Sequence, residues 1–485
     1  MSALLGPKLA LARTAGTISR LRGGGGTSLP GKLLMRLEPG AIEALGGRLE
    51  MGSVLVSATN GKTTTAALAA AVLERGGLSL VHNQAGANMA GGVASTLLEA
   101  AGRKGAIAGE LGLFEVDEMW LDRLARQLHP KVVVLGNLFR DQLDRYGELD
   151  AIAERWAAAV GPGGPAGAAE LVCNADDPLL ADLGRDRESV LYYGVEDDTL
   201  ALEGMAHAAD AKHCRRCGAP YVFDAVYLGH LGHYHCASCA QKRPSPTVLA
   251  RAVTLEGVRA ARFTLSTPGG EAEVKLGLPG LYNVYNALAA AALGVAMGVS
   301  LEAIVAGLEA TEAAFGRAET VRVRGRETRI LLVKNPAGAN EVLRTLALEG
   351  GEHDLLGVLN DKTADGHDVS WIWDADFELL AGRVRVVRCA GTRAPELALR
   401  LKYAGIDPGR IEVIDDLSEA LERAAGDRPQ NDADGSHDGI GPSFDEGAAG
   451  DRHGTPTLYV LPTYTAMLAL RELLVRRGEA SSSWR

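Results

Sequence analysis

The sequence predicts an α/β fold built from more than one domain, and three features of the chain support that prediction. Short apolar segments alternate with polar or glycine-containing turns and with stretches of helical periodicity, first over residues 46–200 and again after residue 320. This alternation is typical of parallel sheets that are covered by helices. A glycine-containing loop follows the first apolar segment, and two Cys-x-x-Cys pairs interrupt the pattern near the middle of the chain. We therefore expect a ligand-binding α/β domain with a small metal-binding insertion, followed by a second α/β domain.

Composition excludes several broad classes of protein. The chain has 485 residues, of which 47% are hydrophobic and 23% are charged, so it can form two or three domains with proper cores. Its net charge of −11 argues against a surface that grips nucleic acid over its whole extent, although one local basic face is compatible with it. No apolar run approaches the length that spans a membrane. The paired cysteines are typical of metal binding in a reducing compartment, so we expect a cytoplasmic protein.

The first 45 residues are predicted to form an amphipathic helix followed by a linker. Apolar residues recur at helical spacing from Leu4 to Leu21 with basic residues between them, and the run Gly23–Gly26 ends the helix. Such a helix can pack on the body of the protein or on a partner, or it can lie on an anionic membrane surface. The second alternative would bring the protein to the inner face of the membrane.

The most informative segment is the loop that follows the apolar residues Val54–Val56. Residues 59–65 read Thr-Asn-Gly-Lys-Thr-Thr-Thr, and a helical pattern begins directly after them. A strand, a tight turn and a helix start form the setting in which backbone N–H groups bind phosphate oxygens. Gly61 lets the backbone approach the anion, Lys62 supplies a mobile positive charge, and the Thr63 hydroxyl can hold Mg²⁺. The expected ligand is ATP. The loop residues predicted to bind it are Thr59, Asn60, Gly61, Lys62, Thr63 and Thr64.

A carboxylate is predicted to complete the magnesium site at the edge of the first sheet. Ligands of parallel sheets bind at the carboxyl ends of the strands. Glu115 lies just beyond the second predicted strand, where its carboxylate can reach a Mg²⁺ ion held by Thr63. The alternative is an exposed loop acid. The strands predicted for this sheet are Val54–Ser57, Ala106–Leu111, Val132–Leu135 and Leu171–Cys173.

Residues from about 205 to 245 are predicted to form a zinc ribbon inserted in the first α/β domain. Cys214 and Cys217 form one Cys-x-x-Cys pair, and Cys236 and Cys239 form the other. Four thiolates at this spacing satisfy a tetrahedral Zn²⁺ ion and leave no open position for a substrate, so the site is expected to be structural. Nearby histidines are expected to lie on the surface or to support the ligands, because four cysteines already complete the coordination. These histidines are His213, His230, His233 and His235.

The C-terminal part of the chain repeats the α/β alternation. Residues 426–455 are rich in Gly, Asp and Ser and nearly free of apolar side chains, so we expect a disordered surface insertion that is dispensable for folding. The predicted domains are thus residues 1–45, 46–320 and 321–485. The strands predicted for the last domain are Ile330–Val333, Asp354–Leu359, Val384–Arg388 and Leu458–Val460.

The loop at residues 59–65 and several later segments resemble the Mur ligase family, whose members activate a carboxylate as an acyl phosphate and capture it with an amine. The Glu-Val-Asp-Glu segment that begins at Glu115, the pair Asn283 and Asn286, and Gly-Arg-Ala-Glu around Arg317 match motifs of that family. The resemblance implies that Glu115 serves the metal, that the asparagines lie near adenine and that Arg317 reaches the ATP phosphates. Two amides on one helical face also suit a purine edge, with helix capping as the alternative.

Some residues depart from the usual family pattern. Gln142 stands where most members that add amino acids carry a metal-binding histidine, and the lysine expected further on, near Arg155, is missing. These departures, the four cysteines and the C-terminal segments resemble the amidating branch of the family, the synthetase subunits of lipid II isoglutaminyl synthase. This resemblance implies ATP-dependent amidation of the α-carboxylate of D-glutamate in the stem peptide of lipid II to D-isoglutamine.

A second protein is implied as the source of ammonia. In the amidating branch, a separate class I glutamine amidotransferase subunit of the GatD type hydrolyses glutamine with a nucleophilic Cys and a His. This chain has no convincing glutaminase set, since Cys173 and Cys389 are expected to be buried packing residues. The resemblance implies that an aspartate of this chain completes the Cys–His pair of the partner in a heterodimer. The match falls on Asp368, with Asp365 and Asp374 as the competing choices.

Two other functions remain open from the sequence alone. The chain could be a stand-alone Mur or folylpolyglutamate-type ligase that joins an amino acid to its substrate, although Gln142 and the missing lysine argue against it. It could also be an ATP-switched binding module built around the zinc ribbon, which would require a basic face that the sequence does not reveal. ATP turnover that depends on a peptidoglycan precursor would separate both ligases from the module, and dependence on ammonia would separate amidation from amino-acid addition.

Overall fold

The computed structural model describes two compact units, Met1–Glu312 and Ala313–Arg485. The break lies a few residues before the predicted boundary at residue 320. Arg317–Val323 pairs with Arg326–Leu331 in an antiparallel ladder, so these residues begin the sheet of the second unit. The described residues are 5–21, 28–83, 86–102, 105–141, 148–204, 209–311, 317–426 and 456–480.

A large sheet forms the centre of the first unit. Within the described residues its strands are β1 (Ser53–Ser57), β2 (Leu80–His82), β3 (Leu111–Glu115), β4 (Val132–Leu135), β5 (Glu170–Asn174), β6 (Val190–Val195), β9 (Val248–Glu256), β10 (Ala260–Thr267) and β11 (Gly270–Leu276). β7 (Tyr221–Leu228) and β8 (Leu231–Cys236) form a separate antiparallel hairpin. The strand order of the large sheet is β11-β10-β9-β6-β5-β4-β1-β3-β2.

This sheet is parallel from β2 to β9, as the alternation of strands and helices predicts, and its far edge is antiparallel. β9, β10 and β11 form an antiparallel meander that extends the sheet after the cysteine-rich insertion. The helices of the first unit are Leu5–Leu21, Leu29–Leu37, Ala41–Gly46, Lys62–Arg75, Ala90–Ala100, Leu121–Leu128, Leu149–Val160, Pro178–Gly184, Leu281–Ala296 and Leu301–Glu309.

β3 lies later in the chain than predicted. The predicted strand Ala106–Leu111 is wrong, because Gly109 takes a φ of 135° and interrupts an extended path there. The strand instead covers Leu111–Glu115, all of it buried between β1 and β2. Glu115 is therefore the last residue of β3 rather than a loop residue beyond it, and its register partner on β1 is Val56.

The N-terminal helices pack on the first unit. The helix Leu5–Leu21 buries Leu9 and Ala12 completely, and Lys8 forms an ion pair with Glu38 at 2.8 Å. In the next helix, the backbone N–H of Gly31 donates to the Ser95 hydroxyl at 2.9 Å. These apolar side chains thus lie against the protein itself. None of the helices that the structure describes is long and apolar enough to cross a membrane.

The second unit contains a six-stranded sheet in its described residues. Its strands are β12 (Arg317–Val323), β13 (Arg326–Leu331), β14 (His353–Val358), β15 (Val384–Ala390), β16 (Ile411–Val413) and β17 (Leu458–Pro462), in the order β12-β13-β17-β14-β15-β16. β12 is antiparallel to β13, and the remaining neighbours are parallel. Apart from Gly426, the predicted insertion 426–455 lies outside the described residues. The helices are Pro336–Ala347, Ala394–Tyr403, Leu417–Gly426 and Tyr464–Arg476.

A buried arginine at the start of β13 links distant parts of this second unit. Arg326 is 3% exposed and forms an ion pair with the equally buried Asp354 of β14. It also donates to the carbonyl of Ala424 at 2.6 Å and to that of Pro456 at 2.7 Å. The two chain segments that flank the insertion are therefore held by one side chain.

We predict that Asp354→Ala destabilises the second unit by about 3–5 kcal/mol, because it leaves the Arg326 guanidinium buried without its carboxylate. Calorimetry of the full chain should show the transition of this unit at a lower temperature. Glu419→Ala is the matched control, since Glu419 and its partner Arg423 are half exposed and such pairs contribute little. Equal effects of the two substitutions would contradict the central role of the buried pair.

Candidate functional site

The loop between β1 and the helix Lys62–Arg75 has the geometry of an anion site. β1 ends at Ser57, and the helix begins at Lys62, so the first-turn N–H groups face the end of the strand. Gly61 has a φ of 83°, which favours glycine. A Cβ at this position would also lie 2.1 Å from the side-chain oxygen of Asn286. The loop can therefore lie against Asn286 only because residue 61 has no side chain.

Lys62 lies beneath the loop in a buried ion pair. Its Nζ donates to Glu118 Oε2 at 2.9 Å and to the carbonyl of Ala58. Burial works against the charge of Lys62, but the carboxylate of Glu118, with smaller contributions from Glu115 and Asp117, outweighs it and raises the pKa of Lys62. Lys62 is therefore a cation in the folded protein, and a phosphate oxygen would have to compete with Glu118 for it.

Thr63 and Glu115, the predicted magnesium ligands, are in direct contact. The Thr63 hydroxyl donates to Glu115 Oε2 at 2.9 Å, and Glu115 is 3% exposed. The Asn83 side chain fixes the backbone of Glu115 from both sides, accepting from its N–H at 2.8 Å and donating to its carbonyl at 2.9 Å. A hydroxyl and a carboxylate held together in this way are oxygen donors of the kind that Mg²⁺ prefers, so these residues fit the ion.

Asn283 and Asn286 lie next to the loop. Asn286 contacts Thr65, although the two residues are 221 positions apart in the sequence. Asn286 accepts a hydrogen bond from the Thr65 hydroxyl at 3.1 Å and donates to Asn283 at 3.1 Å. Asn283 in turn donates to the carbonyl of Pro279 at 2.7 Å, at the start of the helix Leu281–Ala296. Both amides thus brace the loop and the helix start, and a contact with adenine stays a prediction.

Two residues of the site were not singled out from the sequence. Glu118 pairs with Lys62. Asn137 holds the loop through two hydrogen bonds, because its side chain accepts from the N–H of Asn60 at 2.8 Å and donates to the carbonyl of Asn60 at 2.9 Å. The sequence position of each residue could have indicated its place in the site. Asn137 follows β4, which is the parallel neighbour of β1, and Glu118 belongs to the acidic segment that begins at Glu115.

The structure does not test the roles that were discussed for three other positions. Arg317 begins β12 of the second unit, and its side chain is outside the described residues. Gln142 is also outside them. Arg155, near the position of the missing lysine, donates to the carbonyl of Met119 at 3.2 Å from the helix Leu149–Val160. The roles of these three positions therefore stay predictions from the sequence.

The four cysteines of the insertion come together into one cluster. Their sulfur atoms lie within 4.8 Å of one another, with Cys214 and Cys239 at 3.7 Å and Cys217 and Cys236 at 3.4 Å. A tetrahedral ion with Zn–S bonds of ~2.3 Å would place its sulfurs about 3.8 Å apart. The N–H of Ser238 points at the Cys236 sulfur, and this contact helps to lower the pKa of Cys236 to about 6. The donor set therefore fits a zinc ion.

The remaining cysteines are buried away from the cluster, and three of the neighbouring histidines make contacts of other kinds. Burial raises the pKa of Cys389 to about 12, and Cys173 is also buried with a raised pKa, as expected for packing residues. His235 contacts the Asp224 carboxylate at 3.1 Å, whereas His233 contacts the carbonyl of Val195. His230 is completely buried at the turn of the β7–β8 hairpin, although the sequence suggested a surface or ligand-supporting role.

Burial separates the aspartates that compete for a catalytic role in the second unit. Asp365 is 5% exposed and accepts from the backbone N–H and the hydroxyl of Thr465, at the start of the last helix. Asp368 is exposed, and hydrogen bonds from the side chain and backbone of Ser370 lower its pKa. Asp374 is half-buried. Asp368 is thus an exposed carboxylate, whereas Asp365 is committed to the fold.

Comparisons with known proteins place the chain in a family. The model of the Mur ligase middle domain matches residues 56–220, and the model of the MurT ligase C-terminal domain matches residues 332–434. Among solved structures, a pseudomurein peptide ligase type C from Methanothermus fervidus is similar with a TM-score of 0.60 and 23% identity, covering 90% of this chain and 80% of that one. This likeness confirms the predicted Mur ligase fold.

Two curated relatives cover most of the chain. The subunit MurT of lipid II isoglutaminyl synthase (glutamine-hydrolyzing) from Staphylococcus aureus strain N315 is 33% identical over 82% of this chain and 87% of its own length. The subunit of the same name from Streptococcus pneumoniae strain R6 is 32% identical over 95% of this chain and 94% of its own length. The chain therefore belongs to the MurT family of lipid II isoglutaminyl synthase subunits.

Proposed function

We propose that this chain is the synthetase subunit that uses ATP to amidate the α-carboxylate of D-glutamate in the lipid II stem peptide, giving D-isoglutamine. The observation that carries the proposal is the arrangement of Lys62, Thr63 and Glu115 at the carboxyl ends of β1 and β3, in a chain of the MurT family. Ammonia would come from a GatD-type class I glutamine amidotransferase bound as a heterodimer. Since the substrate is lipid-linked and the reaction uses ATP, we propose that it takes place in the cytoplasm, at the inner face of the membrane.

The loop residues would carry the first step. ATP phosphates would lie at the start of the helix Lys62–Arg75, where Lys62 would exchange Glu118 for a phosphate oxygen. Thr63 and Glu115 would hold Mg²⁺, which supplies charge neutralisation at the phosphates. A carboxylate oxygen of the substrate then bonds to the γ-phosphorus, the bond to the bridging oxygen breaks, and ADP leaves. Fixed positive charge on Lys62 stabilises the transferred group.

Ammonia would complete the reaction. Its nitrogen adds to the acyl carbon, inorganic phosphate leaves, and the amide forms after loss of a proton. Water would compete for the same acyl phosphate, so a sheltered path from the glutaminase is needed. The cysteine cluster would hold Zn²⁺ in a structural role, because four thiolates complete its coordination.

Asp368 is proposed to act at the active site of the partner. An exposed carboxylate with a lowered pKa stays charged at neutral pH, so it can orient the imidazole of a Cys–His pair and stabilise its protonated form. Asp365 is a poorer choice because Thr465 already occupies both of its oxygens.

We predict that Lys62→Met in a Glu118→Gln background lowers amidation by about 10²–10³-fold with either glutamine or ammonium salt, because the acyl phosphate does not form. The background substitution avoids a buried carboxylate without a partner. Glu118→Gln alone is the reference, and circular dichroism checks that both proteins are folded. Amidation equal to that of the reference at saturating ATP would contradict the assignment of the loop.

We predict that Cys214→Ser and Cys239→Ser each lose one equivalent of bound zinc and unfold at lower temperature, because binding energy at a structural metal is folding energy. Elemental analysis and thermal unfolding measure the two effects. Cys389→Ala is the matched control, since it removes a buried thiol outside the cluster and should keep the metal. Full metal content in the two serine variants would exclude the cysteine cluster as the site.

We predict that Asp368→Asn in the reconstituted complex lowers glutamine-dependent amidation by up to about 10⁴-fold, the effect of neutralising a triad aspartate. Amidation with ammonium salt, at a pH that supplies free NH₃, should stay near the unmodified level because carboxylate activation uses other residues. Asp374→Asn serves as the control. Loss of both activities would place Asp368 in the synthetase site, and loss of neither would make it an ordinary turn residue.

A further inference from the structure

One buried histidine has a role that the proposed reaction leaves unexplained. His230 lies at the turn of the β7–β8 hairpin and is completely buried. Within the described part of the chain, neither of its ring nitrogens has a hydrogen-bond partner. A buried polar ring without hydrogen bonds is costly, so packing alone would favour an apolar side chain at this turn.

The hairpin connects this turn with the cysteine cluster. Cys236 is the last residue of β8, and His230 immediately precedes the first residue, Leu231. Six residue steps of extended chain correspond to roughly 20 Å at ~3.3 Å per residue. β7 and β8 pair from Tyr221 and Cys236 at the cluster end to Leu228 and Leu231 at the turn, with two register shifts between these ends, so one hairpin joins the cluster to the turn.

His230 packs against the segment that holds the nucleotide loop. Its ring lies 4.6 Å from that of Phe139, measured between ring centroids, and its Nε2 is 3.5 Å from Asp177 Oδ1. Asp177 in turn accepts a hydrogen bond from the N–H of Leu138 at 2.9 Å. The turn of the hairpin is also anchored nearby, because Gly232 donates its N–H to the carbonyl of Asp176 at 2.9 Å.

The segment behind His230 is bonded directly to the loop. The Phe139 N–H donates to the Thr59 hydroxyl at 3.0 Å, and the Thr59 N–H donates to the carbonyl of Asn137 at 3.0 Å. A chain of contacts therefore leads from the cysteine cluster along the hairpin to its turn, and from the turn through Phe139 to Thr59. An imidazole at this position packs its ring against Phe139 and keeps Nε2 3.5 Å from the Asp177 carboxylate, a polar contact without a hydrogen bond.

We propose that His230 is a positioning residue for the nucleotide loop, and that the metal-bound insertion strengthens ATP binding by holding this histidine against Phe139 and Asp177. The proposal rests on the assignment of the loop to ATP. It gives the insertion a function beyond stability, since loss of the metal would loosen the hairpin turn and, through it, the Asn137–Phe139 segment.

The test measures equilibrium binding of MgATP to the full chain by calorimetry, before and after removal of the metal with a chelator. His230→Gln should weaken ATP binding on the order of tenfold, within the usual range of coupling between two sites, while it keeps one equivalent of metal. Removal of the metal from the unmodified chain should weaken binding to a similar degree. Removal from the His230→Gln protein should add little, because the connection is already broken.

A matched control and a second variant show whether an effect on ATP binding is specific to His230 and its contacts. His235→Gln alters an exposed histidine of the same strand and should leave ATP binding and its dependence on metal unchanged. Gly229→Ala disturbs the same turn by a different route, because a Cβ at Gly229 would lie 2.8 Å from the Phe139 ring and the φ of 59° at this position strains alanine. It should weaken ATP binding as well, and it replaces His230→Gln if that protein does not fold.

Two results would overturn the inference. One is unchanged ATP binding in the substituted proteins that fold, with the metal retained. The other is an equal loss on metal removal with and without the His230 substitution, since a role in packing alone would give additive effects. Absence of ATP binding by the unmodified chain would instead contradict the proposed function, so the two failures are distinguishable.

Discussion

The parallel pairing of β1 with β3 on one side and β4 on the other is the constraint on which the site depends. Val56 is in register with Glu115, and Ser57 is in register with Leu135. This alignment brings three strand ends to the same edge of the sheet, so the loop after β1 meets the last residue of β3 and the segment after β4. A shift of the register by one residue would turn Glu115 to the opposite face of the sheet and remove it from Thr63.

The features that sequence reasoning captured are those encoded at short range. The loop from Thr59 to Thr64 and the four cysteines carry their chemistry in residue types at fixed spacing, which needs no knowledge of distant partners. Glu115 lies beside Thr63 although its strand was predicted too early, because Gly109 interrupts the apolar run before Leu111. Only the carboxyl end of the strand matters for the site. Glu115 is close to that end in the predicted strand Ala106–Leu111 and in the observed strand Leu111–Glu115.

The features that sequence reasoning missed depend on contacts between distant segments. Asn286 was assigned to adenine from its motif, yet its amide is also bonded to Thr65, a contact that only the packing of two helices creates. The antiparallel strands β9 to β11 were missed because β-rich segments after the insertion carry no signal of which edge they join. His230 was expected on the surface or beside the metal ligands because it is close to the cysteines in sequence, whereas the hairpin places it in a buried position at the far turn.

The buried pair of Lys62 and Glu118 connects the resting loop with the proposed chemistry. A lysine buried beneath this loop without a carboxylate partner would be an uncompensated charge, which proteins avoid. Glu118 removes that cost, and the nearby Glu115 and Asp117 raise the pKa of Lys62 further. The same carboxylates repel an incoming phosphate unless a cation accompanies it. In the proposed reaction, ATP would therefore bind poorly without Mg²⁺, because the acidic residues that keep Lys62 charged would need the metal to balance them.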